Sequence, residues 1–208
     1  MDYLSPTTEL EAINLMISVI GELPLDDLDS QTGNADVLAA TTLLRSCTRA
    51  LQYKGWAFNT DLCTTLYREP DGTILVPPGV VKITKAEVPS QAFISFSERG
   101  GRLYDRTGNT TVWTVDLVVD LVRILAFEDL PEAARLYALT QAGLQFQARY
   151  VGSDALYKFS ESDLVLAAQV LAEYELDTGH VNFLTGSRDV RRIWRDREFE
   201  AEPVRWGH

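Results

Sequence analysis

The sequence predicts an α+β fold: an antiparallel helical bundle with an inserted small antiparallel β subdomain and a C-terminal extension. Three observations predict it. Apolar residues recur at helical spacing in two stretches, one near each end of the chain. Between them, short runs of β-branched and aromatic residues alternate with turn chemistry. Beyond residue 179 the periodicity gives way to a dense mixture of arginine, tryptophan and acids. The implied divisions are 1–61 for the first helical hairpin, 62–128 for the β region, 129–179 for the second helical pair and 180–208 for the extension.

Taken in order, Thr8 and Glu11 have capping-box spacing, in which a hydroxyl and a carboxylate each satisfy an orphan amide. Leu10, Ile13, Met16, Ile17 and Ile20 then follow at helical intervals, with Gly21 as C-terminal cap and Pro24 preventing continuation. An acidic link follows, carrying Asp26, Asp27 and Asp29. The second helix is expected over 34–54, with Val37, Leu38, Leu44, Cys47, Leu51 and the stem of Lys54 as its stripe and Gly55 as its cap. Trp56 and Phe58 are expected to fold back as core anchors.

Strands are expected over 62–67, 73–76, 80–84, 92–96, 102–104 and 111–119. Pro70-Asp71-Gly72, Arg99-Gly100-Gly101 and Thr107-Gly108-Asn109 supply the turns, and Pro77-Pro78-Gly79 ends a strand. Helical spacing returns at Pro131, whose missing N–H costs nothing in a first turn. Leu136, Leu139, Ala142, Gly143 and Phe146 form that helix's inner side, to Tyr150. A fourth helix starts at Ser153 or Asp154, breaks near Phe159 and restarts at Ser160, three residues before Asp163. Leu164, Ala167, Ala168, Leu171 and Tyr174 form its stripe up to Gly179.

Composition bounds the function. Of 208 residues, 30 are acidic and 19 basic, giving a net charge of −11. Such a chain is poorly suited to wrapping nucleic acid by phosphate neutralisation or to holding an anionic membrane. Cys47 and Cys63 are the only cysteines, too few for a disulfide scaffold or zinc motif. No basic-then-apolar leader opens the chain, and no run approaches the roughly 18 apolar residues of a membrane span. The expectation is a protein folded in a reducing cytoplasm, with no membrane partner.

Catalytic chemistry is sparse. The two histidines, His180 and His208, lie in or beside the extension, and no HExxH, CxxC, GxSxG or P-loop pattern occurs. We therefore expect no catalytic, cofactor-binding or metal residues. Arg99-Gly100-Gly101 reads as a hairpin turn, since no helix follows to cradle a phosphate. Glu128 and Asp129 read as helix-start acids, and Glu173 and Glu175 as solvated.

The extension stands apart. Six of the fifteen arginines (Arg188, Arg191, Arg192, Arg195, Arg197 and Arg205) fall within it, with Trp194 and Trp206 among them. These types are enriched at interface hot spots, so Arg188, Arg191, Arg192, Trp194, Arg195 and Trp206 are candidate partner contacts. The alternative is a helix lying on its own domain with Trp194 packed. Five acids are interleaved with the six arginines, and Asp177 just before them evens the balance, so the segment is no basic arm for DNA.

The ordered blocks resemble the tail tubular protein A family of short-tailed bacteriophages. They are Leu10-Glu11-Ala12-Ile13-Asn14 leading into Ile20-Gly21-Glu22-Leu23-Pro24, Asn34-Ala35-Asp36, Gly55-Trp56-Ala57-Phe58-Asn59, Tyr104-Asp105-Arg106-Thr107, Asp129-Leu130-Pro131-Glu132 and Gln145-Phe146-Gln147-Ala148-Arg149-Tyr150. The similarity spans about residues 8 to 180, and the extension departs from the family pattern. The resemblance implies a virion structural protein: a head-to-tail adaptor, assembled as a twelve-fold ring, between the portal protein and the tail nozzle (tubular protein B). Tail fibres attach near that junction, and the genome passes through the ring without specific binding. No catalytic residues come with the family. Asp26, Asp27 and Asp29 are then candidate channel acids. Two other classes compete with this reading, a virion-associated glycan hydrolase using paired carboxylates and a soluble helical binding module.

Overall fold

The computed structural model describes residues 6–28, 34–87, 94–150 and 159–178. Four helices and five strands are placed there, in an α+β arrangement: α1 (Glu9–Ile17), α2 (Ala35–Gln52), β1 (Thr60–Leu66), β2 (Val80–Glu87), β3 (Phe96–Arg99), β4 (Arg102–Asp105), β5 (Leu117–Arg123), α3 (Glu132–Tyr150) and α4 (Glu161–Thr178).

The caps follow local chemistry. Thr8 Oγ1 accepts from the Glu11 amide at 3.2 Å while the Glu11 carboxylate accepts from the Thr8 amide at 2.9 Å, the expected reciprocal box. Asn34 caps α2 through the amides of Asp36 and Val37. Ser160 and Asp163 exchange the same pair of bonds at α4, so a helix does start after Ser160. The start expected at Ser153 or Asp154 lies outside the described residues. The final turn before Gly21 tightens to a 3-10 helix over Ser18–Ile20, and Gly21 and Gly55 both take the left-handed conformation.

The helices close around one cluster of buried side chains: Ala12, Ile13, Met16 and Ile17 of α1, Val37, Ala40, Leu43, Leu44, Cys47 and Leu51 of α2, and Ala134, Ala138, Leu139, Ala142 and Phe146 of α3. Phe127, Leu130, Phe159 and Leu171 complete it. Burial pushes the Cys47 thiol pKa up, and the charge of Arg149 draws it partly back. Four expected stripe positions differ. Lys54 is exposed beyond the end of α2 at Gln52. Leu38, Leu136 and Ala168 are exposed, because α2, α3 and α4 each turn a flank toward solvent there.

The second cluster is built on an antiparallel sheet of order β1-β5-β2. Central β5 is buried at Leu117, Val119, Leu121 and Val122. The run expected to end at Val119 continues through Asp120 to Arg123. The strand continues because that carboxylate has a structural task. β1 bulges between Asp61 and Thr64, Cys63 takes φ 54°, and its amide donates to Asp120 Oδ1 at 2.8 Å. Residues 111–116, also expected as strand, precede β5 and carry Trp113, whose indole donates to the Leu103 carbonyl.

The expected strand at 73–76 forms only isolated bridges, Thr73 to Val112 and Leu75 to Arg102. Turns close it on both sides, and Pro77 and Pro78 cannot donate to a ladder. The strand expected at 92–96 begins at Phe96 and runs to Arg99; residues 92 and 93 lie outside the described residues. β3 and β4 pair as a hairpin through Gly100 and Gly101, both at positive φ, as the two-residue turn requires. At the Pro70 turn, the amide and hydroxyl of Thr73 both donate to Asp71 Oδ1 and hold its carboxyl below the ordinary range. A Cβ on Gly72 would meet Val112 Cγ1 at 2.7 Å, so glycine is required there for space as well as for φ.

Candidate interaction surfaces

Three amide side chains fix the connections between elements, and each embraces both polar groups of one backbone residue. Asn14 Nδ2 donates to the Leu25 carbonyl and Asn14 Oδ1 accepts from the Leu25 amide, at 3.0 and 2.7 Å. Gln52 does the same for Leu125, at 3.1 and 2.8 Å, and Gln147 for Phe159, both at 3.3 Å. Gln52 is fully buried, so it substitutes for the water that a loop peptide would otherwise need. Asn59 adds a bond to the Arg123 carbonyl, tying the end of β5 to the end of α2. None of these roles was deduced from the sequence. Asn14, Asn59 and Gln147 nevertheless lie inside the blocks that carried the resemblance.

The Asn14 clasp orients the link after α1. Leu25 and Leu28 pack partly against the helical core, while Asp26 and Asp27 are exposed. Asp29 lies outside the described residues. So do Arg188, Arg191, Arg192, Trp194, Arg195 and Trp206.

Other acids are committed to backbone. Glu128 accepts from the Glu9 amide at the α1 N-terminus (3.4 Å), and Glu132 accepts from the amide and hydroxyl of Thr7. Glu175, expected to be solvated, accepts from the Ala57 amide at 3.0 Å, at the start of a 3-10 turn. A pocket of about 340 Å³ between α2 and the segment entering α3 is lined by Glu9, Arg45, Thr48, Arg49, Phe127 and Glu128. Glu9 there is paired with Arg45 at 2.7 Å, a bond that raises the guanidinium pKa, and Glu128 holds the α1 amide. Among the described residues no group of three or more His, Cys, Asp and Glu could hold a metal ion.

The remaining features are surfaces. Helix α4 buries Ala167 and Leu171 but exposes Val165, Leu166, Val170 and Leu176. A shallow groove of about 420 Å³ runs between α2 and the end of α3, lined by Leu38, Ala39, Thr42, Leu43, Gln145 and Arg149. On the β3–β4 hairpin, Arg99 stacks over Tyr104 at 3.7 Å and stands directly opposite Arg102.

A fold of caps, clasps and exposed apolar faces is one suited to assembly. Comparison with known proteins decides the family: the tail tubular protein model matches residues 10–181. The chain belongs to the tail tubular protein family. It is also 30% identical over 195 residues to tail tubular protein A of Klebsiella phage KP34, covering 91% of this chain and 97% of that protein. A tail tubular protein is a structural component of the bacteriophage tail, and its place is in the virion. Among the described residues no helix is long and apolar enough to cross a membrane.

Proposed function

We propose that this tail tubular protein is the head-to-tail adaptor, a closed ring of copies that joins the portal to the tail nozzle and surrounds the genome during ejection. Family membership over residues 10–181 is the observation that carries the reading. Twelve copies make the ring, the nozzle is tubular protein B, and tail fibres attach beside it. Assembly takes place in the host cytoplasm.

The chemistry suits the task. Each copy carries −11, so the ring wall repels DNA phosphates and duplex slides without adhering. A basic wall would hold DNA through counterion release. Asp26 and Asp27 are exposed on a link that Asn14 anchors, and with Asp29 they contribute to the negative lumen. Replacing all three by lysine is expected to slow or stall ejection, read as the rate of genome release from purified particles. Unchanged kinetics would remove these acids from the channel.

The Arg/Trp-rich segment then supplies a joint. Residues 181–208 dock on the portal or a neighbouring copy, with Arg188, Arg191, Arg192, Trp194, Arg195 and Trp206 as the contacts. Truncation at Asn182 is expected to leave melting of the purified chain unchanged while heads and tails fail to join. Particles of normal yield from the truncated chain would refute both the segment's role and its contacts.

A further inference from the structure

Helix α4 carries two apolar faces, and only one has a partner in the subunit. Ala167 and Leu171 point into the bundle. Val165, Ala172 and Leu176 recur at intervals of seven and four, which centres them about 140° round the helix from that pair. They are exposed, as are Leu166 and Val170 on the adjoining flank. A helix apolar on both sides belongs between two layers of protein.

The groove between α2 and α3 has the complementary character. Leu38 lies 66% exposed on its wall, and its lining holds the cation Arg149 and no anion. Arg49 lies seven residues beyond Thr42 on the same side of α2. By contrast, α4 carries Glu161, Asp163, Glu173, Glu175 and Asp177 and no basic residue. Glu161, Glu173 and Asp177 are exposed beside its apolar ridge.

Position completes the argument. Gly143 and Gln147 of α3 face Phe159, at the start of α4. Gln145 and Arg149, which line the groove, are offset from them by two residues, about 200°. Ridge and groove therefore lie on opposite sides of α3. A ridge on one side and a matching groove on the other is what a heterologous, ring-closing contact needs.

We propose that the outer face of α4 seats in the α2–α3 groove of the neighbouring copy, with Leu166 and Val170 against Leu38 and Glu173 against Arg149. This rests on the ring reading and names its subunit joint. The occupant is a second copy.

The test uses the full chain in assembled particles, in a Cys63→Ser background. Buried Cys47 is poorly placed to react. A chain carrying both Leu38→Cys and Leu166→Cys, treated with a short bis-maleimide, is expected to give a ladder of covalent multimers on a denaturing gel. Either substitution alone gives none. Glu173→Arg or Arg149→Glu alone is expected to cut incorporation into particles at least about tenfold, through a like-charge contact. The two together in one chain restore it, because every joint then carries the swapped pair. Melting of each purified variant separates lost assembly from lost folding. A multi-copy ring whose two cysteines never link between chains, with no charge-swap rescue, overturns the joint and leaves the ring reading standing. Linkage of Leu166→Cys to Trp194→Cys within one chain makes residues 181–208 the occupant and also overturns it. Particles with a single copy at the head–tail junction overturn the ring and the joint together.

Discussion

Gly143→Ala is expected to destabilise the protein, against the ordinary sign of that substitution. In a helix interior alanine is favoured over glycine by about 1 kcal/mol. Gly143 sits within α3, where no turn or cap calls for glycine. Its reason is the neighbour. A Cβ built there would lie 2.5 to 2.6 Å from three carbons of the Phe159 ring, closer than carbon atoms approach. The ring has little room to yield. Phe159 is 6% exposed, and its backbone amide and carbonyl are both held by Gln147. Pushing it out loosens the seat of α4 at the usual overpacking cost of about 1–3 kcal/mol, so after the alanine gain a net loss of up to about 2 kcal/mol is expected. For a chain of this length that lowers the melting temperature by up to roughly 8 °C. Phe159→Leu in the same chain should recover part of the loss, because a smaller side chain leaves room for the methyl. A double-mutant cycle measures this directly. A Gly143→Ala protein that melts higher than the parent would show that close packing is not what the glycine serves.

Gly143 also shows where sequence reading reached its limit. Its position on the inner side of a helix was legible from periodicity, since Leu139, Ala142 and Phe146 surround it at helical intervals. That it must be glycine was not, because Phe159 lies sixteen residues away and the constraint is tertiary. The caps were legible for the opposite reason: Thr8 with Glu11 and Ser160 with Asp163 complete their hydrogen bonds within one turn. Turns were legible too, at Arg99-Gly100-Gly101 and Pro70-Asp71-Gly72, where φ and side-chain bonding are settled by three or four residues. The β boundaries were less so. β5 runs past its expected end at Val119, and the bond from the Cys63 amide to Asp120 is a tertiary contact that no local pattern shows. Leu38 and Leu166 mark another limit. Periodicity reports that a face is apolar and is silent about whether the partner belongs to the same molecule. The candidate acids Asp26 and Asp27 were placed on an exposed link by their polarity alone, whereas the clasp from Asn14 that anchors the link needed Leu25 in view.

Arg135→Leu is expected to cause the second large loss, and the sequence carried an overlooked signal for it. A cation in the first turn of a helix opposes the macrodipole, so arginine at the fourth residue of α3 costs stability unless another interaction offsets it. Arg135 is 8% exposed and reaches three backbone carbonyls: Nε donates to Leu130 at 2.8 Å, Nη1 to Thr7 at 2.9 Å and Nη2 to Glu128. The planar fork of a guanidinium can serve three acceptors in different directions, and it cannot shed its charge to escape burial. Thr7 is bound a second time, through its amide and hydroxyl to Glu132, and the next turn of chain is held by Glu128 on the Glu9 amide. Arg135 is thus the centre of a joint between the start of α1 and the start of α3, residues 128 positions apart in the chain. Leucine would leave those carbonyls without their donor, at about 1–3 kcal/mol for each that stays out of water, so a total near 2–4 kcal/mol is expected after partial rehydration. Lysine at the same position should recover less than half of this, because one ammonium on a flexible stem cannot span three acceptors. Hydrogen exchange locates the effect: amides at the start of α1 should lose protection in Arg135→Leu, while those of β5 keep it. Equal loss of protection in both places would mean that the substitution lowers global stability without opening this joint. A parent-like melting temperature would show that the three carbonyls find water as easily as they find arginine.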